Sequence, residues 1–520
     1  MTCRRDAKLC RADEAVARIG TGQTLACGGF IGAAHPEALT SALEKRFLAS
    51  GTPRDLTLIY AAGQGDGQSK GLNHLAHKGL LKRVIGGHWG LAPRLGALAL
   101  AGEIEAYNFP QGVICQLFRD IAAGRPGCIT HIGFDTFIDP VHGGGRLNAV
   151  TTEELVERVT LGGRTWLWYK ALPIHVGLIR ATAADPLGNL VMDDEAIIGE
   201  VLAIAQAARN SGGMVIAQVA RLLDTPANPR AVRVPGILVD HIVVAEPSDH
   251  EQTFGRQYNP DFVMPATGAT PQIPPLPLDE RRIIAARAAD ELHAGDIVNL
   301  GIGMPEGIAV IAAERGLLDK VTLTVESGPI GGMPAGGLSF GASTHPHAII
   351  DQPAQFDFYD GGGLDYAALG AAQIDQSGNV NVSRFSDRLA GIGGFANIAN
   401  NARTVVFCGT FTTGGLKVAC ENGSLRILNE GHVRKFPQMV EQIGFAADRR
   451  YHRAEKVLYV TERAVFGLSA EGIELLEIAP GIDLETGILP FMDFRPVIRE
   501  VRPMPPHCFL PVGNSIEGAI

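Results

Sequence analysis

The chain has 520 residues, 46% hydrophobic and 19% charged, a balance that excludes a disordered protein and gives room for two or more domains with full cores. Its formal net charge of −10, with no basic block, excludes nucleic acid as the main partner. No apolar run reaches the ~18 residues of a membrane span.

No apolar signal-peptide core follows Arg4 and Arg5. The eight cysteines, with no C-x-x-C pair, fit a reduced compartment. Together these predict a cytoplasmic protein. Glycine is in excess at 64 residues, about 12% against a usual ~7%. No low-complexity repeat absorbs it, so the excess is assigned to loops that line a ligand.

In chain order, Gly22 to Cys27 reads as a short apolar strand that meets the glycine loop Gly28-Gly29-Phe30-Ile31-Gly32. Pro36-Glu37 then opens a helix, with Pro predicted at its first position and Leu39, Leu43 and Phe47 on one face. Leu56 to Tyr60 reads as the next strand, ending at Ala61-Ala62-Gly63. His74 and His77 have metal-like spacing, as do His345 and His347, but no Cys or acid cluster completes either set. They are read as surface or loop histidines, and no metal is expected. Lys170, His175, Trp166 and Trp168 are read as packing or surface residues. Asp185-Pro186-Leu187-Gly188-Asn189 reads as a tight turn between strands.

Pro265, Pro271, Pro274, Pro275 and Pro277 form a stiff, extended connector. They place a boundary between a first domain, residues 1–270, and a second, residues 271–520. The second repeats the first. Gly295 to Leu300 meets Gly301-Ile302-Gly303-Met304, and Pro305-Glu306 opens a helix carrying Ile308, Ile311 and Ala312 before Gly316. Asp375-Gln376-Ser377-Gly378-Asn379 matches the Asp185 turn. Strand, helix, strand in this order implies right-handed parallel units, so the fold class is α/β with two similar open, mainly parallel sheets.

Val321 to Val325 reads as a buried parallel strand because its apolar, β-branched pattern is nearly continuous. Glu326 follows at once, then Ser327, Gly328, Pro329, Ile330, Gly331 and Gly332. A charge at the carboxyl end of such a strand lies where open α/β sheets hold ligands, and acids are rarely buried unless paired or used. The residues alone leave two readings open: an ion-paired or capping Glu, or a reacting group. The repeat favours the second, because Glu326 aligns with Ala61 and a structural Glu would tend to recur in both copies.

Other motifs compete. Gly301-Ile302-Gly303-Met304-Pro305-Glu306-Gly307 is one residue too long for a dinucleotide fingerprint, and no acid closes the next strand in the usual role. Its backbone N–H groups at a helix start still suit phosphate or carboxylate. The loops Gly391-Ile392-Gly393-Gly394 and Thr413-Gly414-Gly415-Leu416-Lys417 are read the same way, with a plain tight turn as the alternative. Gly337-Leu338-Ser339-Phe340-Gly341 has nucleophile-elbow spacing, but its flanks supply neither the strand nor the helix that an elbow needs.

The segment from Glu326 to Ala342 resembles the E-x-G-x-x-G active-site segment of family I coenzyme A transferases, in wording close to the single-chain propionate/acetate branch. Three more stretches are similar to that family: Asn108-Phe109-Pro110-Gln111-Gly112 with Ala123-Gly124-Arg125-Pro126-Gly127, Asn299 to Ala309, and Gly391 to Asn397. Phe395-Ala396-Asn397 stands where 3-oxoacid enzymes often carry Ala-Met-Asp, and so leans away from that branch.

The resemblance implies CoA transfer between acyl-CoA and small carboxylic acids, with Glu326 as nucleophile. CoA would be substrate and covalent intermediate, with no permanently bound cofactor. It implies an oxyanion donor from the Gln111–Gly112 backbone. CoA would meet Gly301, Gly303, Met304, Gly328, Gly391, Gly393, Gly394, Asn397 and Lys417. A homo-oligomer is expected. The alternatives are a 3-oxoacid CoA-transferase, an acyl-CoA hydrolase on the same fold, and a non-catalytic CoA or metabolite sensor, against which the retained Glu326 argues.

Overall fold

A computed structural model describes residues 5–266, 274–385, 387–448 and 453–511. Pro271 of the expected connector lies outside the described residues. Packing groups the chain into two compact units: Met1–Ala266, Val325–Asp357 and Ser386–Asn397 in unit 1, and Thr267–Thr324, Phe358–Phe385 and Ile398–Ile520 in unit 2.

Unit 1 is built on seven parallel strands: β1 (Thr24–Cys27), β2 (Leu56–Tyr60), β3 (Leu81–Gly86), β4 (Glu105–Asn108), β5 (Val176–Ala184), β6 (Met214–Leu222) and β7 (His241–Val244). Their order is β7-β6-β5-β1-β2-β3-β4. β1 is buried along its length and β5 likewise, as expected of strands covered on both faces. The helices α1 (Glu37–Ser50), α2 (Gln111–Ala122) and α3 (Val201–Asn210) follow strand ends. Leu39, Leu43 and Phe47 of α1 join the core with Leu25, Leu58 and Val84. Pro36 is the N-cap of α1, one position before the first-turn place predicted for it.

Unit 2 has β8 (Ile297–Leu300), β9 (Thr322–Thr324), β10 (Tyr366–Gly370), β11 (Thr404–Cys408) and β12 (Lys456–Val460), all parallel in the order β9-β8-β10-β11-β12. Three further strands, β13 (Ala464–Ser469), β14 (Gly472–Ile478) and β15 (Val497–Pro503), extend it beyond β12. The antiparallel pairs are β12 with β13 and β13 with β14. The helix α4 (Gly307–Glu314) follows a 3-10 turn over Met304–Glu306 that takes Pro305, so here too the proline precedes the α-helix.

The two sheets repeat one another strand for strand: β7-β6-β5-β1-β2 in unit 1 corresponds to β12-β11-β10-β8-β9 in unit 2. Register agrees as well. Thr24 faces Thr57 and Ala26 faces Ile59, while Ile297 faces Thr322 and Asn299 faces Thr324. Leu25 faces Val176 and Val298 faces Tyr366, and from these partners an equal step along the chain reaches Asp185 and Asp375.

The two turns are the same object. Asp185 Oδ1 accepts from the N–H of Leu187 (2.8 Å) and Asn189 (2.9 Å), and Asp375 Oδ1 accepts from Ser377 (3.0 Å) and Asn379 (2.9 Å). Gly188 and Gly378 carry φ of 81° and 90°, the left-handed conformation glycine adopts most readily. Topology thus repeats by sequence halves, while packing adds residues 325–357 and 386–397 to unit 1. Those segments include the start of α5 (Gln352–Asp360) and of α6 (Phe395–Asn401).

Candidate active site

Glu326 occupies a tight turn directly after β9 and is half-buried. The turn is closed by Gly328 N–H to Val325 O and by Val325 N–H to Pro329 O, both at 3.0 Å. Gly328 has φ of 127°, and a Cβ there would collide with Ile350 O, so this position admits no side chain. Ile350 N–H donates to Gly328 O at 3.1 Å. Ser327 Oγ–H donates to Gly341 O at 2.5 Å. The carboxylate-bearing turn is therefore held from both sides by backbone, as a group needing fixed geometry requires.

A second set assembles at the carboxyl ends of β3 and β4. Asn108 Nδ2 donates to Gly86 O (2.8 Å) and Gly87 O (2.6 Å), and its Oδ1 accepts from Ile392 N–H at 2.9 Å. Gly393 N–H donates to Gly87 O at 2.7 Å. At the start of α2, Gln111 N–H donates to Gly393 O at 2.9 Å and Gly112 N–H to Asn397 Oδ1 at 3.2 Å. Gln111, Gly112, Gly391, Gly393, Gly394 and Asn397 are thereby brought together within unit 1.

This geometry bears on the oxyanion donor expected from this segment. The backbone N–H groups of Gln111 and Gly112 are already donating, so neither is free to meet an oxyanion. What remains is the Gln111 side chain, 3% exposed, whose Nε2 has no partner among the described residues. Gly391 is explained by packing: a Cβ there would come within 2.8 Å of Trp89 N and 2.9 Å of His88 Cα. At Gly393 the requirement is conformational, since φ is 52° while the nearest atoms stand 3.7 Å from a Cβ position.

His88, which the sequence did not single out, lies against this loop. Its Nδ1 has no partner among the described residues, and burial lowers its pKa to about 4, with the charge of Arg388 acting the same way. It is a neutral imidazole at neutral pH. A Cβ on Gly63 would stand 2.6 Å from Nδ1, so the glycine at the end of the Ala61-Ala62-Gly63 run makes space for the ring. The only signal in sequence was the glycine crowding of Gly86-Gly87-His88-Trp89-Gly90.

The remaining predicted residues lie in unit 2. Gly301 N–H donates to Ala368 O at 2.8 Å. Gly303 has φ of 87° with open space around its Cβ position, and its carbonyl accepts from Arg281 Nη2 at 3.0 Å. Ile302 is 53% exposed, so this loop faces solvent beside Met304. Lys417 is exposed on a two-stranded ribbon, Lys417–Glu421 with Ser424–Asn429.

Competing motifs resolve. Ser339 ends a 3-10 turn, Gly337–Ser339, and its hydroxyl pairs with that of Thr253 at 2.8 Å, which is not the strand–turn–helix of a nucleophile elbow. His74 is not a surface residue: it is mostly buried and bridges Glu37 (2.9 Å) and Glu44, and His77 meets Glu44 at 2.7 Å. Among the described residues no helix is long and apolar enough to cross a membrane.

Two mainly parallel sheets, a carboxylate on a backbone-locked turn and a glycine loop stitched to strand ends define an α/β enzyme with its candidate site at the carboxyl edge of the sheets. The chain belongs to the coenzyme A transferase family, whose model matches residues 10–245 and 281–434, and it is a single-chain family I enzyme of that kind. It is 42% identical over 480 residues to acetate CoA-transferase YdiF of Escherichia coli K12, covering 91% of this chain and 89% of the relative. It is also 42% identical over 499 residues to caffeate CoA-transferase of Acetobacterium woodii, covering 95% of each. The acyl-CoA transferase YdiF of E. coli O157:H7, solved as a thioester complex with CoA, superposes with a TM-score of 0.91 at 40% identity, over 97% of this chain and 96% of that one.

Proposed function

We propose that the enzyme transfers CoA between a short-chain acyl-CoA, with acetate or propionate as the acid, and a second carboxylic acid, by a ping-pong route through Glu326. The observation that carries this is Glu326 itself, locked on the turn after β9, the same step beyond its strand's pairing as Ala61 in the other sheet. The relative solved as a CoA thioester supports a covalent route.

The Glu326 carboxylate attacks the thioester carbonyl of acyl-CoA and expels CoA thiolate, leaving a mixed anhydride. The thiolate then attacks the Glu326 carbonyl carbon of that anhydride, releasing the first acid as its carboxylate and leaving a glutamyl-CoA thioester. The second acid reverses both steps. A carboxylate can serve as nucleophile and as thioester carrier in turn, which a serine hydroxyl cannot do in the same way.

Each tetrahedral intermediate carries an oxyanion, for which one oriented donor contributes about 2.7–4 kcal/mol. With the backbone N–H groups of Gln111 and Gly112 engaged, the donor assigned from this segment is Gln111 Nε2. Gly328, Gly391, Gly393, Gly394 and Asn397 in unit 1, and Gly301, Gly303, Met304 and Lys417 in unit 2, are assigned to CoA. A cytoplasmic homo-oligomer is part of the same reading.

The test is to incubate the enzyme with acyl-CoA and no acceptor acid. The expected product is a protein adduct of CoA less one water, on the peptide containing Glu326. An adduct on another residue, or none, overturns the assignment.

A further inference from the structure

Buried acids in this protein are paired with few exceptions. Glu195 meets Arg180 at 3.0 Å and His250 at 3.1 Å; although burial opposes it, these partners hold its pKa at about 2. Glu37 meets His74 and accepts from Gly71 N–H at 2.9 Å. Glu462 pairs with Arg463 at 2.7 Å. Glu200 differs. It is 1% exposed, at the N-cap of α3, and neither carboxyl oxygen has a hydrogen-bond partner among the described residues.

Glu200 is not isolated among apolar groups. Gln352 N–H donates to Gly199 O at 3.0 Å, placing α5 beside it. Gln352 and Gln355 of α5 are both 0% exposed, and Gln352 Oε1 and both amide atoms of Gln355 have no partner among the described residues. Gln352 Nε2 reaches Cys115 Sγ at 3.0 Å, one helical turn after Gln111, whose Nε2 is also unpartnered. The same segment leads to the reacting group, since Ile350, two residues before Gln352, is bonded to Gly328, two residues after Glu326.

An unmade hydrogen bond on a buried polar group is destabilising, so several on adjoining segments are not kept without use. Nearly all the atoms are on one class of side chain, carboxyl or carboxamide, and they adjoin the starts of α2, α3 and α5, where N–H groups favour an anion.

We propose that Glu200, as a neutral carboxyl, together with Gln352 and Gln355, forms the subsite for the free acid substrate, a short carboxylate anion, with the Glu200 O–H donating to it. This rests on the transferase reading and adds the residues that hold the acid. Burial keeps Glu200 protonated at neutral pH, its pKa being pushed up to about 8.

The titratable groups on neighbouring segments do not supply the charge instead. Cys27, at the end of β1, is a thiol pushed further up by burial and by Glu200. Asp351 is raised by burial, with Arg233 and Arg119 opposing. Arg180 is committed to Glu195.

Ionising Glu200 would set two carboxylates against each other, whereas a neutral thioester would not be repelled in the same way. In the wild type the KM for acetate should therefore rise about tenfold from pH 7 to pH 9, with a much smaller change for acyl-CoA. Glu200→Gln keeps a neutral donor and removes the titration, so its KM for acetate should stay within about twofold over the same range. Glu200→Leu removes the donor and should raise the KM for acetate at every pH.

Acetate binding is also read without turnover, from the line width of its carboxyl carbon in the presence of each variant, with folding checked by circular dichroism. A flat wild-type profile, or an identical rise in the Gln variant, overturns the subsite. Failure to transfer CoA to any acid, with pH-dependent acetate binding still lost in Glu200→Gln, overturns the transferase chemistry and leaves the subsite standing.

Discussion

Ala61 and Glu326 lie the same number of residues beyond two ladders of the same order. Each lies four residues beyond the threonine that faces the equivalent first-strand residue, Thr57 opposite Thr24 and Thr322 opposite Ile297. Ala61 is fully buried, whereas Glu326 is half-buried on its turn. A shared structural demand would put like residues at both places. The difference supports the proposal that the chemistry sits in one copy of the repeat.

Glu326→Ala should abolish CoA exchange while leaving the fold intact, because the turn is closed by backbone bonds and by Ser327, not by the Glu side chain alone. Glu326→Asp retracts the carboxylate by one methylene, a displacement near 1 Å that costs about 10²-fold or more. Steady-state exchange and the adduct mass measure both. Substantial exchange by the Ala variant would sink the nucleophile assignment.

At Gly393 two effects separate. A methyl has room, with His88 at 3.7 Å and Gln111 Oε1 at 3.8 Å, but φ of 52° disfavours any Cβ. Gly393→Ala should lose about 1–2 kcal/mol of stability from the left-handed backbone alone, and Gly393→Val more, since a β-branched residue is a poorer fit there. If the glycine also admits substrate, kcat/KM of the folded Ala variant should fall by more than about tenfold. Denaturant titration beside kinetics reads the two losses. Normal kinetics in the folded variant would make the loop structural only.

The repeat made much of the fold legible. Gly22 and Gly295, Asp185 and Asp375, and the β-branched run before Glu326 are local patterns, and local patterns survive in sequence. Glu200 was not legible, because nothing beside it marks it, and His88 is marked only by the glycines that flank it. Each is defined by burial against chain-distant residues, Gln352 for one and Gly63 and Gly391 for the other. The glycines of Gly391-Ile392-Gly393-Gly394 were read as giving access to a ligand. At Gly391 the missing Cβ is used instead by the His88–Trp89 backbone, a contact between segments some three hundred residues apart that no single window contains. The same holds for Asn397, which sequence placed in a CoA loop and the structure shows occupying the Gly112 N–H.

Stability gives a reading of Glu200 that is independent of activity. Its folded pKa of about 8 lies above the ordinary 4.5. The folded state therefore holds a proton that the unfolded state releases, and wild-type stability falls as pH rises from about 4.5 to about 8. The slope from this group is on the order of 1.4 kcal/mol per pH unit, an upper bound because relaxation reduces it. Glu200→Gln does not titrate. Its stability relative to wild type should therefore increase steadily between pH 5 and pH 8, measured by urea unfolding at several pH values. A constant difference across that range would mean that Glu200 is charged in the folded protein.

Cutting the chain within residues 265–277 tests how packing and topology divide the molecule. A fragment ending there retains all seven parallel strands of the unit 1 sheet but lacks residues 325–357 and 386–397, which pack with that unit. It loses the Gly393 O and Asn397 Oδ1 acceptors at the start of α2, and Gln352 beside Gly199. The N–H groups at Gln111 and Gly112 would then trade fixed protein acceptors for water, and the start of α2 would lose the contacts that order it. The first fragment alone should accordingly be less stable and more open to proteolysis at Asn108–Gly112 than the same residues in the whole chain. Neither fragment alone should exchange CoA, because Gln111 and Glu326 lie on different fragments. Co-expression should restore both protection and exchange, read by limited proteolysis and by transfer assay on the same samples. Exchange by the second fragment alone would remove Gln111 from the chemistry.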